Sequence, residues 1–242
     1  MPNKTVYFNN YNLGDLYDMF ITNAGVYSIP DNNYESIPIA GRNGNLLFDK
    51  TNFDNVEHKY PCIITGNFDD NFLHLKSALM LSEGYQILRD DFMPDEFYLA
   101  YFKRFENIHQ PSLNPTKGSF TLVFERKPQR FADSGEEITE FTSSGTLVHP
   151  FLSASSTRYP ALPRMRVYGS GTLTINDISI EIDTDHAFLD IDCDLQEVLQ
   201  DGGNLDVTLT DGAFPYLVGG SNGIVLGSGI TKVMIKPRWW YL

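Results

Sequence analysis

Basic residues are scarce in this 242-residue chain: 18 Lys and Arg stand against 31 Asp and Glu, a net charge of −13. A protein this acidic does not hold nucleic acid by neutralising phosphates. Cysteine is nearly absent: Cys62 and Cys193 lie far apart, and no C-x-x-C pair occurs. That excludes a disulfide scaffold and a cysteine zinc site, and it fits folding in a reducing cytoplasm. The two thiols read as small, buried, apolar side chains. No apolar run approaches the roughly 20 residues of a membrane-spanning helix. Nothing apolar follows Met1-Pro-Asn-Lys, so no secretory leader is expected. The H-E-x-x-H and G-x-x-x-x-G-K-[ST] signatures are missing, which removes the ligands of zinc proteases and P-loop enzymes. His58, His74, His109, His149 and His186 are scattered, with no i, i+4 pair. Internal repeats and low-complexity tracts are also lacking.

What the chain does have is apolar and aromatic weight. Apolar residues make up 42% and aromatics 13%, which argues for a packed core and against disorder. The length allows one or two domains. Strands are expected at 5–8, 27–39, 45–48, 59–65, 84–88, 97–102 and 118–125. Pro61 suggests that its strand begins there or lies at an edge. One helix is expected at about 70–83, capped by Asp69 or Asp70. Phe72, Leu75 and Leu79 recur there at helical spacing, with Leu73 and Met80 beside them and Gly84 as the stop.

The texture changes near 131–135, where a domain boundary is expected. Residues 1–133 carry 12 basic and 17 acidic groups; residues 134–242 carry 6 and 14. Neither half is a basic nucleic-acid module. The second half reads as nearly all β, with strands at 167–175, 178–182, 187–195, 205–209, 223–226 and 230–235. Asn176-Asp177 is a hairpin turn. Turns about every 8–12 residues are the pattern of a sandwich or barrel.

Few residues suggest chemistry. Gly219-Gly-Ser-Asn-Gly223 matches a nucleophile elbow by letter, but Ile-Val-Leu follows where a helix is needed. A hairpin loop is the better reading. Asp190, Asp192 and Asp194 resemble the start of a calcium loop, yet Leu195 stands where the sharp turn needs glycine. Strand alternation explains them better, with three Asp on a solvated face and Leu189, Ile191, Cys193 and Leu195 facing the core. Asp90-Asp91 and Asp95-Glu96 could pair carboxylates for glycoside hydrolysis, but adjacent acids in a turn usually stay hydrated. Trp239-Trp240 could stack on sugar; on a strand they point to opposite faces, and packing or a subunit contact is the expected role. No catalytic residue, metal ligand or cofactor site is assigned, and no enzyme activity is expected. Gly41, Gly44, Gly169 and Gly171 read as tight-turn positions, where Ala is tolerated only if φ is negative.

Several scattered segments together carry a resemblance. They are Ile37-Pro-Ile-Ala-Gly-Arg-Asn-Gly44, which resembles an I-P-G-R-x-G turn with Ile39-Ala40 intervening; Tyr85-Gln-Ile-Leu-Arg-Asp-Asp-Phe-Met-Pro-Asp-Glu-Phe-Tyr-Leu-Ala100; and Phe120 to Arg130. In the second half they are Arg158-Tyr-Pro-Ala-Leu-Pro163, Val167-Tyr-Gly-Ser-Gly-Thr172, and Ile230-Thr-Lys-Val with Pro237-Arg-Trp-Trp240. In this order the chain resembles the distal tail proteins of bacteriophages with long, non-contractile tails.

The resemblance implies a mainly β protein with one helix. Residues 1–133 would form a β-sandwich-like, ring-forming domain with a hairpin that belts onto the neighbouring subunit. Residues 134–242 would form a galectin-like β-sandwich. Six copies would ring the tail tip of the virion, joining the last tail-tube ring to the tail-associated tip or lysin protein. DNA would pass through the lumen, and receptor-binding proteins could attach outside; no membrane is involved. The hairpin is sought at 97–124, with 110–115 as its tip. Acidic residues of 1–133 are expected to line the pore and repel DNA. The alternative is a carbohydrate-binding module that helps attach to the host surface.

Overall fold

The computed structural model describes residues 4–23, 28–111, 116–149, 160–184, 186–200, 203–204, 208–209 and 213–242. Contacts within the chain divide it into two compact units, 1–131 with 241–242, and 132–240.

The first unit is built on one antiparallel sheet. Its order is Tyr11–Asn12, Val6–Phe8, Gln86–Asp90, Glu96–His109, Gly118–Arg126, Val56–Ile64, Met19–Ile21. Alternation makes the core: Tyr60, Cys62 and Ile64 from one strand meet Phe120, Leu122 and Phe124 from the next. Pro61 sits inside the strand Val56–Ile64, not at its start. Its carbonyl accepts Thr22 N–H, and the return bond that a proline cannot make, to Thr22 O, falls just past the last ladder pair Ile21–Cys62, at the end of the neighbouring strand.

The long helix, α2, spans Phe68–Met80, and its cap position is Asn67, not Asp69 or Asp70. Those two acids lie in its first turn, where the helix dipole favours them. Phe68, Leu75 and Leu79 face the sheet, and Phe72 joins Phe68, Phe105 and Phe120 in an aromatic cluster with centroids 4.9–5.2 Å from Phe72. Leu73 and Met80 are exposed, and the helix ends before Gly84. A short helix, α1 (Leu13–Tyr17), was not evident in the sequence. Asn12 caps it, its Oδ1 accepting Gly14 N–H at 2.9 Å and Asp15 N–H at 3.2 Å.

The second unit holds two sheets. One runs Thr139–Phe141, Ile230–Lys236, Arg164–Gly169, Leu189–Asp192, Glu197–Gln200, Gly203–Asn204. The other runs Gly145–Val148, Ser221–Leu226, Gly171–Ile175, Ile178–Ile182, Thr208–Leu209. Each buries every second residue: Met165, Val167, Ile191, Val233 and Ile235 in the first, Leu173, Ile175, Ile180, Ile182 and Ile224 in the second. The hairpin at Asn176-Asp177 forms with Ile175 opposite Ile178, and Asn176 adopts φ +54°. The strand expected at 167–175 is two strands, broken at Ser170. Of the expected strand 205–209, only Thr208–Leu209 is described; 205–207 lie outside the described residues, as do 112–115 of the expected hairpin tip and Arg158-Tyr159. The fold is mostly β, with a single helix longer than two turns among the described residues.

Candidate functional site

Most of the acidic residues weighed for chemistry have hydrogen-bond or ion-pair partners in the structure. Asp90 is buried; its carboxylate accepts Tyr60 Oη at 2.6 Å and the amides of Phe92 and Met93. Asp91 accepts Thr5 N–H at 2.8 Å, and Glu96 pairs with Arg130 at 3.1 Å. Asp190 forms a two-pronged pair with Arg166, both contacts 2.8 Å. Asp192 is only 6% exposed, so it is not on a solvated face; Arg238 neutralises it through contacts of 2.7 and 2.8 Å. Leu195 is 63% exposed, because the strand ends at Asp192 and the chain turns there. No group of three or more metal-ligating side chains converges among the described residues. Cys62 and Cys193 are free and buried, and burial pushes both thiols up to about 12.

Residues 219–223 precede and enter the strand Ser221–Leu226, with no helix after them. Asn222, fully buried, organises that turn: its Oδ1 accepts Val218 N–H at 2.7 Å, and its Nδ2 donates to Val218 O at 2.9 Å. Gly41 and Gly44 adopt φ +79° and +83° in open space. Gly169 and Gly171 are also at positive φ, but a Cβ there would lie 2.2 and 2.4 Å from the carbonyl oxygens of Gly229 and Ser228. They allow two backbones to meet as well as turn. Trp239 is buried against His149, centroids 4.4 Å apart. Trp240 is half-buried, and its Nε1–H donates to Pro160 O at 3.1 Å.

The feature that a lone chain does not explain is a hairpin. Strands Asn32–Pro38 and Asn45–Phe53 pair with each other and with no other described strand. Nine residues at about 3.3 Å each make an arm of about 30 Å. Its tip is the turn 39–44, closed by Arg42 N–H to Ile39 O at 3.2 Å. Asn45 Nδ2 donates to Ser36 Oγ at 2.8 Å across it. Leu46, Leu47 and Phe48 are 49, 59 and 58% exposed, and Ile37 and Ile39 are exposed too. An isolated two-stranded hairpin is marginal in water, and contiguous exposed apolar side chains mark an interaction surface.

This is not the hairpin sought at 97–124. Those residues do form a hairpin, Glu96–His109 with Gly118–Arg126, but both strands lie inside the main sheet and Phe97, Tyr98, Phe120, Leu122 and Phe124 are buried. Outward-facing side chains of that sheet form an ion-pair lattice. Lys103 bonds Glu125 at 2.6 Å and Glu57 at 2.8 Å, and Lys59 meets Glu106 at 2.9 Å. Arg104 grips Glu57 at 2.9 and 3.2 Å and also pairs with Glu106. Hydrogen bonds from Arg104 and Lys103 hold the Glu57 carboxyl down to about 2. Each acid in the lattice has a cation, so this face is not a bare negative wall.

No family model matches the chain, and no curated protein does. Among solved structures it is similar to the Dit protein of SPP1, described as a paradigm of the hub adsorption apparatus in phages that infect Gram-positive bacteria. The likeness covers 99% of each chain with a TM-score of 0.76, at 13% sequence identity. At that identity the likeness is one of fold, and the fold of this chain is the fold of that hub protein.

Proposed function

We propose that the chain is a distal tail protein of a phage with a long, non-contractile tail. Six copies form a ring at the tail tip, between the last tail-tube ring and the tail-associated tip protein. DNA passes through the ring, and receptor-binding proteins attach to its outside. The role is structural, and the site of action is the virion. The observation that carries this reading is the fold likeness to a phage hub protein along the whole of both chains. The free hairpin supports it. A head-to-tail contact that closes on itself needs one projecting surface per copy, and the apolar arm 32–53 supplies one. In this reading the belt is that arm.

The carbohydrate-binding alternative has less support. Tyr168 and Phe188, on the outer face of the six-stranded sheet, are covered by Lys232 and Arg166 at 4.4 and 4.1 Å from their centroids. Trp240 is engaged with Pro160. Light scattering after size exclusion tests the ring. Six copies of a 27.4 kDa chain give about 164 kDa. A 27.4 kDa species at high concentration, unchanged by tail-tube or tip protein, would overturn the reading.

A further inference from the structure

The strand Gly118–Arg126 buries Phe120, Leu122 and Phe124, and the next inward position is Arg126. Arg126 is 2% exposed. A guanidinium keeps its proton, so a permanent positive charge is held out of water there. Its Nη hydrogens go to carbonyls: Lys127 O at 3.1 Å, Pro128 O at 3.3 Å and Ser28 O at 2.7 Å. Carbonyls satisfy hydrogens but bring no negative charge. Its Nε–H is buried without a partner. Its flat face covers Tyr98, 4.4 Å from the centroid.

The carboxylates nearby in the fold are committed elsewhere, Asp90 to Tyr60 and two amides, Glu96 to Arg130. No carboxylate bonds to Arg126 among the described residues. Buried charges are otherwise paired, because the desolvation cost is large. Beside Arg126 opens a cleft of about 280 Å³, lined also by Ile29, Met93, Tyr98, Arg130 and Leu242, whose O accepts from Arg130 at 3.1 Å. Tyr98 is 5% exposed, and its hydroxyl makes no hydrogen bond among the described residues. Arg126 and an unused hydroxyl thus border one small space with partly apolar walls, and Arg130 beside them is already bonded to Glu96 and Leu242 O.

We propose that this cleft is a carboxylate-binding site, with Arg126 supplying the charge, Tyr98 a hydrogen bond, and Ile29 and Met93 the apolar wall against the acid's carbon chain. The volume suits a short-chain acid or one acidic side chain. The carboxylate comes from a free acid or from Asp or Glu of a second copy. The site stands whether or not the chain acts in a phage tail.

The test uses the full chain at pH 7 and constant ionic strength, with sodium butyrate against sodium chloride. Saturation-transfer NMR reads binding, and light scattering reads mass. Wild type is expected to bind butyrate saturably. Arg126→Gln should weaken that binding roughly tenfold or more, and Tyr98→Phe roughly threefold. Binding without a change of mass identifies a free acid. A fall in mass, with butyrate or with Arg126→Gln, identifies a second copy as the source. Equal binding by wild type and both variants overturns the proposal, as does no saturable binding together with an unchanged mass in Arg126→Gln. If Arg126→Gln does not fold, Tyr98→Phe decides, since it keeps the ring that the guanidinium covers.

Discussion

His58 should make the first unit sensitive to mild acid. The side chain points inward from Val56–Ile64, is 1% exposed, and has no partner for either nitrogen. It packs against Tyr60 and Tyr98, with centroids 4.5 and 5.5 Å away. Burial, and then the charge of Arg126, hold its pKa down to about 4 from an ordinary 6.5; Asp90 pulls weakly the other way. Between those values the unfolded chain takes up a proton that the folded chain refuses. Stability is therefore full above 6.5, falls as the pH drops through the window, and levels off below 4. The whole gap is worth about 3 kcal/mol, and about 2 kcal/mol of it is gone by pH 5. Carboxylate pairs fail lower: the support given by Glu57 is lost from an ordinary 4.5 down to about 2. Hydrogen exchange at the 56–64 and 118–126 amides, corrected for intrinsic rates and at one protein concentration, reads the effect. Protection should fall roughly 30-fold from pH 7 to 5 in wild type and far less in His58→Leu. Exchange at the 171–182 amides, in the second unit, is the internal control. A wild-type protection that does not change between pH 7 and 5, or an equal fall in His58→Leu, refutes the reasoning.

Other substitutions separate the structural roles. Gly169→Ala should cost at least about 2 kcal/mol by urea unfolding, since its Cβ meets a carbonyl at positive φ; Gly223→Ala, with open space around it, should cost less than about 1. Asp192→Asn removes the two-pronged partner of Arg238, leaving only the more distant Asp194 and Glu136, and should cost about 2–3 kcal/mol in the unfolding of the second unit, followed by tryptophan fluorescence. Glu57→Gln, in an exposed lattice of the first unit, should change stability by less than about 1 kcal/mol, read from hydrogen exchange at the 56–64 amides. Leu47→Asp with Phe48→Asp should leave the circular dichroism of the chain unchanged while shifting its mass toward 27.4 kDa.

Local patterns were legible in the sequence. The helix showed in the spacing of Phe72, Leu75 and Leu79, and the hairpin showed at Asn176-Asp177. Alternation placed Leu189, Ile191 and Cys193 inside. What was not legible depends on what packs against a strand. Phe97 to Phe102 and Leu46 to Phe48 are similar β-prone apolar runs, yet half of the first is buried and none of it exposed, while the second stands in solvent. Strand propensity measures fit to a pleated surface and does not say which surface is covered. Leu195 shows the same limit, since alternation continues on paper past the point where the chain turns. Arg126 is the reverse case. Read as a charged residue it marks a strand end, and only the neighbouring strands reveal that its position faces inward.

The 13% identity and the shared fold belong together. The sheets here are specified by alternation and by a few backbone demands, such as the meeting of Gly169 and Gly171 with 228–229. Many apolar sequences meet an alternation equally well, because cores tolerate substitution when volume and pattern persist. The functional surfaces are under no such common rule. If the arm 32–53 lies against a partner, as proposed, it must fit that partner, and a cleft on Arg126 that takes an acid must fit it. A fold shared at this identity is a likeness of fold; in the proposed ring, exposed Leu46, Leu47 and Phe48, and in the proposed acid site the charges around Arg126, would set the partners. Those residues, rather than the alternating core positions, are where substitutions should change assembly without changing the fold.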